Sequence, residues 1–195
     1  MSTEFQPVKL PYPSNPVVKQ ALKLPIPLYR MGLGFLVGRL FMVLTTTGRK
    51  SRLPRRTAIE FHAHKGRKYV FSAFGEKADW YKNIQADPRV TIQTASGTEP
   101  MIARRITDDG KLAEAFELVA SNPTMRRWIQ VIGFQLTLAD FLAKKDSLYL
   151  VTFDPTNEPT PPPLEADLRW VWLVVVGLGI LVHRMRGRKR GIGRE

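Results

Sequence analysis

Between Phe41 and Ile106 the chain reads as strand after strand joined by turns, with one short helical stretch among them. Predicted strands run Phe41–Thr46, Thr57–His64, Lys68–Phe74, Val90–Thr94 and Met101–Ile106, and Leu148–Phe153 completes the set. Lys65-Gly66-Arg67 has the composition of a hairpin turn, and Ser96-Gly97 joins a second strand pair. Parallel strands need a long crossover, usually a helix, between each pair. Those helices are missing, which excludes a doubly wound sheet. The pattern predicts a mainly β fold with helices, arranged as a small, mostly antiparallel barrel of about six strands. Asp79 can cap a helix over Trp80–Ala86 that Asp87-Pro88 ends. Leu112, Ala115, Phe116 and Val119 recur at helical spacing, so Asp109–Ser121 is an amphipathic helix, followed by helical pieces at Arg126–Phe134 and Leu138–Lys144.

The ends have a different character. Residues 1–34 form a proline-punctuated extension with a short helix near Val17–Leu24, and the barrel is expected over 35–155. Residues 156–166 read as a stiff, proline-rich linker. Residues 167–195 are expected to form an apolar, membrane-contacting helix with a basic tail. Its uncharged core, Trp170–Val182, would reach only about 20 Å as a helix, against about 30 Å of bilayer hydrocarbon. An interfacial or partly inserted helix suits that length better than a spanning one, with Trp170 and Trp172 among headgroups and the tail arginines near anionic lipid. The alternative is a helix packed on the barrel or on a twin subunit. Met1-Ser2-Thr3-Glu4-Phe5 does not open a secretory signal, so the expected place is the cytoplasmic side of the cell membrane.

Charge and composition narrow the chemistry. The chain has no cysteine, which removes thiolate metal sites, disulfides and a catalytic thiol together. Its formal net charge of +13 favours an anionic partner. Arg49, Lys50, Arg52, Arg55 and Arg56 crowd into the run Thr45-Thr46-Thr47-Gly48-Arg49-Lys50-Ser51-Arg52-Leu53-Pro54-Arg55-Arg56-Thr57, where Gly48 permits a tight turn. Guanidinium and ammonium groups beside turn N–H groups suit a phosphodiester or a polycarboxylate. A solvated basic hairpin is the alternative, and the spacing is not that of a Walker loop. Around Ser72-Ala73-Phe74-Gly75-Glu76-Lys77, small residues let a flat ligand approach the backbone just before the helix bearing Trp80 and Tyr81. No aromatic stacking surface accompanies the basic turn, so nucleic acid is not an expected partner. His62 and His64 share a strand face, but no third ligand is evident and no metal site is expected.

Taken together, Thr-Thr-Gly-Arg-Lys-Ser-x-x-Pro-Arg and the run Asp-Trp-Tyr-x-Asn-x-x-Ala-Asp-Pro-x-Val from Asp79 to Val90 resemble the deazaflavin-dependent nitroreductase family. That family uses coenzyme F420 on a split β-barrel related to flavin-binding oxidases, and the resemblance covers about residues 35–155. It implies that Arg49, Lys50, Ser51 and Arg55 hold the coenzyme's phosphate and oligoglutamate end, with Pro54 and Thr57 in the same binding set. It also implies that Ser72, Ala73, Phe74 and Gly75 lie against the ring and that Trp80 and Tyr81 sit near its face or edge. Ser72 and Tyr81 are then the candidate catalytic side chains. Lys77 stands where many members carry a Lys-Gly-Gly loop slightly earlier, and is expected to supply a comparable charge. The implied reaction is hydride transfer between the deazaflavin and a quinone, nitroaromatic or activated alkene, a hydrophobic small-molecule acceptor. Split barrels of this kind often pair, so a homodimer enters the expectations. The alternatives are a non-catalytic module binding F420, FMN or haem, and a basic adaptor for membrane surfaces or nucleic acid.

Overall fold

The computed structural model describes residues 23–180. The helix expected near Val17–Leu24 lies almost wholly outside the described residues, and the basic tail after Val182 lies entirely outside them.

Two short helices, α1 (Pro25–Arg30) and α2 (Gly34–Val37), lead into β1 (Phe41–Thr47). Then follow β2 (Pro54–Glu60), β3 (His62–His64), β4 (Arg67–Phe71), α3 (Asp79–Ala86), β5 (Arg89–Thr94) and β6 (Gly97–Arg105). Helices α4 (Asp109–Ser121), α5 (Pro123–Val131) and α6 (Leu138–Ala143) precede β7 (Leu150–Pro155). The seven strands form one sheet in the order β2-β1-β5-β6-β7-β4-β3. Every ladder is antiparallel, as short turns between successive strands require.

The ends of that order are joined covalently. β2 and β3 are separated only by Phe61, so one bent strand pairs with β1 through its first half and with β4 through its second. The sheet therefore returns on itself, which removes an open edge. The sequence predicts about six strands; there are seven because the strand read as Thr57–His64 breaks at Phe61. Phe61 turns into the core, and its N–H makes the last bond of the β1 register, donating to the Leu40 carbonyl at 3.0 Å before the strand crosses to β4. The next hairpin follows the expected chemistry. Lys65 (φ 48°) and Gly66 (φ 76°) are both left-handed, the conformation a two-residue hairpin loop demands.

Alternation along the strands sorts the two faces. Met42, Leu44, Val90, Ile92, Met101, Ala103, Val151 and Phe153 point inward, and Tyr81 and Ile84 of α3 join them. On the opposite face of β4 and β7, helices α4 to α6 bury Leu112, Ala115, Met125, Ile129 and Phe141 against Tyr69 and Leu150. The helix starts are capped where the sequence supplies oxygen acceptors: Asp108 for α4, Asn122 for α5 and Thr137 for α6. Asp79 departs from the capping expectation. Ala78 is the N-cap of α3 and gives no side-chain cap bond, while the Asp79 carboxylate faces Arg49.

The proline-rich segment after β7 is extended but not free. Gln93 Nε2 donates to the Leu164 carbonyl (3.0 Å), and the Leu164 N–H donates to Gln93 Oε1 (2.7 Å). Thr91 bonds Thr160 and the Pro161 carbonyl, and Arg56 donates to the Pro163 carbonyl at 3.1 Å. The segment is thus a strap across the outer face of β2, β1 and β5. The C-terminal helix starts later than residue 167. Residues 171–180 are helical (α7), about 15 Å at the usual rise, and no helix among the described residues is long and apolar enough to cross a membrane. Its side chains are largely exposed, Leu173 at 77%.

Candidate functional site

The basic turn after β1 and the start of α3 are brought together by one side chain, Arg49. Its guanidinium donates to Asp79 Oδ1 (3.0 Å) and to Asn83 Oδ1 (3.1 Å), and its backbone N–H also reaches Asn83 Oδ1 at 3.3 Å. Asn83 is buried, and its Nδ2 donates to Thr46 Oγ1 at 3.0 Å. Asp79 and Asn83 are four apart on α3 and so share a helix face. The two sequence motifs are spaced to make this clamp. Within the turn, Ser51 Oγ accepts from Arg55 at 3.1 Å, while Lys50 is exposed with no partner among the described residues. A Cβ on Gly48 would lie 2.7 Å from Ser51 Oγ and 3.1 Å from the Leu53 carbonyl oxygen, so a larger residue there would displace the serine hydroxyl and press on the turn.

A cavity of about 1270 Å³ opens beside this turn, larger than most small-molecule pockets. One wall is the bent strand. Arg56, Ala58, Glu60 and His62 on one strand face all line the cavity, and Thr57 and the half-buried Ile59 on the other face line it as well, while Phe61 is buried in the core. The facing wall carries Ala73, Phe74, Lys77, Asp79 and Trp80. Met125, Trp128 and Ile129, on one side of α5, add an apolar surface, and the strap supplies Leu164, Glu165 and Asp167. Arg30 holds the end of the strap through two parallel bonds to Asp167, at 2.8 and 2.6 Å. That pairing pushes the Arg30 guanidinium further up and keeps the Asp167 carboxyl below its ordinary value.

Of the site residues read from sequence, Thr57, Ala73, Phe74, Lys77 and Trp80 line the cavity. Arg49, Lys50, Ser51, Pro54 and Arg55 lie in or next to the turn at its side, with Arg49 engaged by α3. Ser72, Gly75 and Tyr81 are set behind the cavity wall. The Ser72 hydroxyl donates to the Gly75 carbonyl (2.9 Å), and Tyr81 packs edge-on against both Trp80 and Tyr149. Burial raises the pKa of Tyr81, and Arg105 nearby partly offsets this. Gly75 is left-handed (φ 54°), and a Cβ there would meet the Tyr149 ring at 3.0 Å. It shapes the turn that carries Ala73 and Phe74.

Sequence reasoning missed Ala58, Glu60, the α5 face and the strap. For Ala58 and Glu60 the signal was their alternation with Thr57, Ile59 and Phe61 between Arg56 and His62. His62 and His64, grouped from sequence, have separate partners. His62 Nδ1 meets Asn122 and its Nε2 lies 3.5 Å from Glu60, whereas His64 faces Glu117 of α4.

Comparison with known proteins gives one family. Residues 28–130 match the family described as F420H(2)-dependent quinone reductase. Among solved structures, one described as a domain-swapped dimer is 17% identical, with 71% of this chain and 96% of that chain covered and a TM-score of 0.46. An F420-H2 dependent reductase is 20% identical, with 59% and 93% covered and a TM-score of 0.42. A protein from Listeria innocua described as a pyridoxamine 5'-phosphate oxidase is 15% identical, with 64% and 90% covered and a TM-score of 0.43.

Proposed function

Because the chain belongs to the F420H(2)-dependent quinone reductase family, we propose that it binds F420 along the bent strand and passes hydride from the reduced coenzyme to a quinone, nitroaromatic or activated alkene. The observation that carries this reading is the order of side chains on one strand face. Arg56, Ala58, Glu60 and His62 follow one another along the cavity wall. At the rise of a strand they span about 20 Å. A long ligand with an anionic end and a flat ring suits that order. Arg56, beside Lys50 and Arg55 of the turn, meets the phosphate and carboxylates. Ala58, in the same cavity as Ala73, Phe74 and Trp80, leaves room for the ring. The hydride chemistry belongs to the coenzyme; the chain supplies cations, a flat apolar slot and shelter from water.

Titrating the protein into F420 and following deazaflavin fluorescence tests the reading. Micromolar binding is expected, with consumption of reduced F420 when menadione is added. An intact fold without binding overturns the proposal, and tight binding without turnover on several acceptors makes the chain a carrier. Lys50→Ala and Arg55→Ala should each weaken binding by roughly 10–100-fold, the loss expected when a charge-assisted bond to an anion is removed. The effect should shrink as salt rises, since both groups are exposed.

The same proposal places the protein at the cytoplasmic face of the cell membrane. Trp170, Leu173, Val176 and Leu178 are exposed on or beside α7, and the sequence then continues into arginines that suit anionic lipid. Removing residues 171–195 should move the protein from the membrane fraction to the supernatant with its F420 affinity intact. Cutting at Leu164 should also weaken F420, because Leu164, Glu165 and Asp167 are cavity wall. Membrane retention of the shorter chain would refute the anchor.

A further inference from the structure

We propose that His62 is the electrophile of the site: a neutral imidazole whose Nε2–H donates to the acceptor oxygen on which charge accumulates as hydride arrives. The inference rests on the hydride-transfer reading above and adds a residue to it.

The tautomer follows from a helix cap. Asn122 Oδ1 accepts from the backbone N–H groups of Thr124 (3.0 Å) and Met125 (3.1 Å), capping α5. The oxygen is therefore committed, and the amide NH2 must be the group that faces His62 Nδ1 at 3.2 Å. An amide N–H needs a lone pair there, so Nδ1 carries no proton and the imidazole proton sits on Nε2. Nε2 lies 3.5 Å from Glu60 Oε1, and both residues line the cavity, so an acceptor oxygen entering it can take the place of that long contact. The His62 side chain is 18% exposed. Burial lowers its pKa, and Glu60 raises it by less. The groups facing the ring are Glu60 on its own strand, Tyr69 opposite it on β4 and Asn122 at the start of α5. None of these puts a full negative charge on Nδ1. The imidazole is thus held neutral at physiological pH, and the cap fixes its proton on Nε2, beside Glu60 in the cavity wall.

The chemistry balances without a titrating side chain. Hydride brings an electron pair and one hydrogen to the quinone, leaving the hydroquinone monoanion. The Nε2–H bond does not break. It shortens its hydrogen bond to the charged oxygen, and the final proton comes from water. Donors aimed at a developing oxyanion contribute most when they are fixed in advance and shielded from solvent. Hydride donation from the coenzyme side and oxyanion stabilisation from His62 would then flank the acceptor in one cavity.

Two variants separate the donor from the packing. His62→Gln keeps a non-titrating amide donor near the Nε2 position, and His62→Ala removes it. His62→Ala, assayed at saturating F420, should lower kcat with menadione by about 10²–10³-fold. His62→Gln should recover most of that loss. A second readout needs no turnover. The anion of 2-hydroxy-1,4-naphthoquinone stands in for the charged, reduced acceptor, and its affinity should fall at least tenfold in His62→Ala while neutral menadione loses little. Nitrogen NMR of the unliganded protein should show the neutral, Nε2-protonated form across pH 6.5–8. Unchanged kcat in His62→Ala with F420 still bound, equal losses for the anion and for menadione, or an Nδ1-protonated ring each overturn the proposal. Absence of F420 binding in the parent protein instead overturns the underlying reading.

Discussion

Asn83→Ala should destabilise the protein by about 2–3 kcal/mol and weaken F420 binding in the same variant. Asn83 is buried, and its amide bridges Thr46 Oγ1, the Arg49 backbone N–H and the Arg49 guanidinium. Alanine takes the donor from the Thr46 hydroxyl, which keeps only its long bond (3.4 Å) to the Arg55 carbonyl, and leaves the Arg49 N–H without its acceptor. Each buried polar group stranded in this way costs about 1–3 kcal/mol. For a chain of this size the loss corresponds to a fall of roughly 5–10 °C in Tm. The functional part follows from the clamp. Once Asn83 is gone, Arg49 is held by Asp79 alone, through an ion pair whose carboxylate is 83% exposed and so contributes little. The basic turn then loses its register against α3. Thermal unfolding and F420 titration check both halves, and an unchanged Tm would mean that water replaces the amide.

Ala58→Phe should have the opposite profile, a large loss of coenzyme with little loss of fold. Ala58 faces outward from β2 opposite Val43 in the ladder, and it lines the cavity. A phenyl group there projects into space that a ring must use, so F420 affinity should fall at least about 100-fold, near 2.7 kcal/mol. Ala58 is half-buried beside the buried Val43, so the phenyl group must lean into the cavity, and Tm should fall by far less than in Asn83→Ala. F420 titration measures the first value and thermal unfolding the second. Unimpaired binding would put the ring somewhere other than the bent strand.

These two positions also show how far the sequence could be read. The barrel strands were legible because turns at Lys65-Gly66 and Ser96-Gly97 punctuate alternating runs, and both glycines have positive φ. The motif pair was legible as a pair, but not the reason for it. Only the fold shows that Arg49 reaches Asp79 and Asn83, which turns a residue read as a phosphate ligand into one that also ties the site together. Ala58 drew no attention because a small side chain carries no chemistry of its own; it matters for the room it leaves. The strap was hidden for another reason. Proline-rich composition predicts an extended segment, and the segment is extended, but composition says nothing of Gln93, which pairs with Leu164 from 71 residues away. The apolar run after Trp170 was legible as a helix over the residues described, yet not as one long enough to cross a bilayer.

The strap has a consequence for the protein's biosynthesis. β1 to β6 leave the ribosome in a contiguous block, and most of their ladders are local, so the barrel can begin to assemble early. The cavity cannot. Its last wall lies at residues 164–167 and is fastened to Arg30, near the other end of the described chain. A nascent polypeptide stalled or cleaved just after β7 would therefore be barrel-shaped yet unable to enclose a ligand, so that competence arrives only once residues 164–167 have been made.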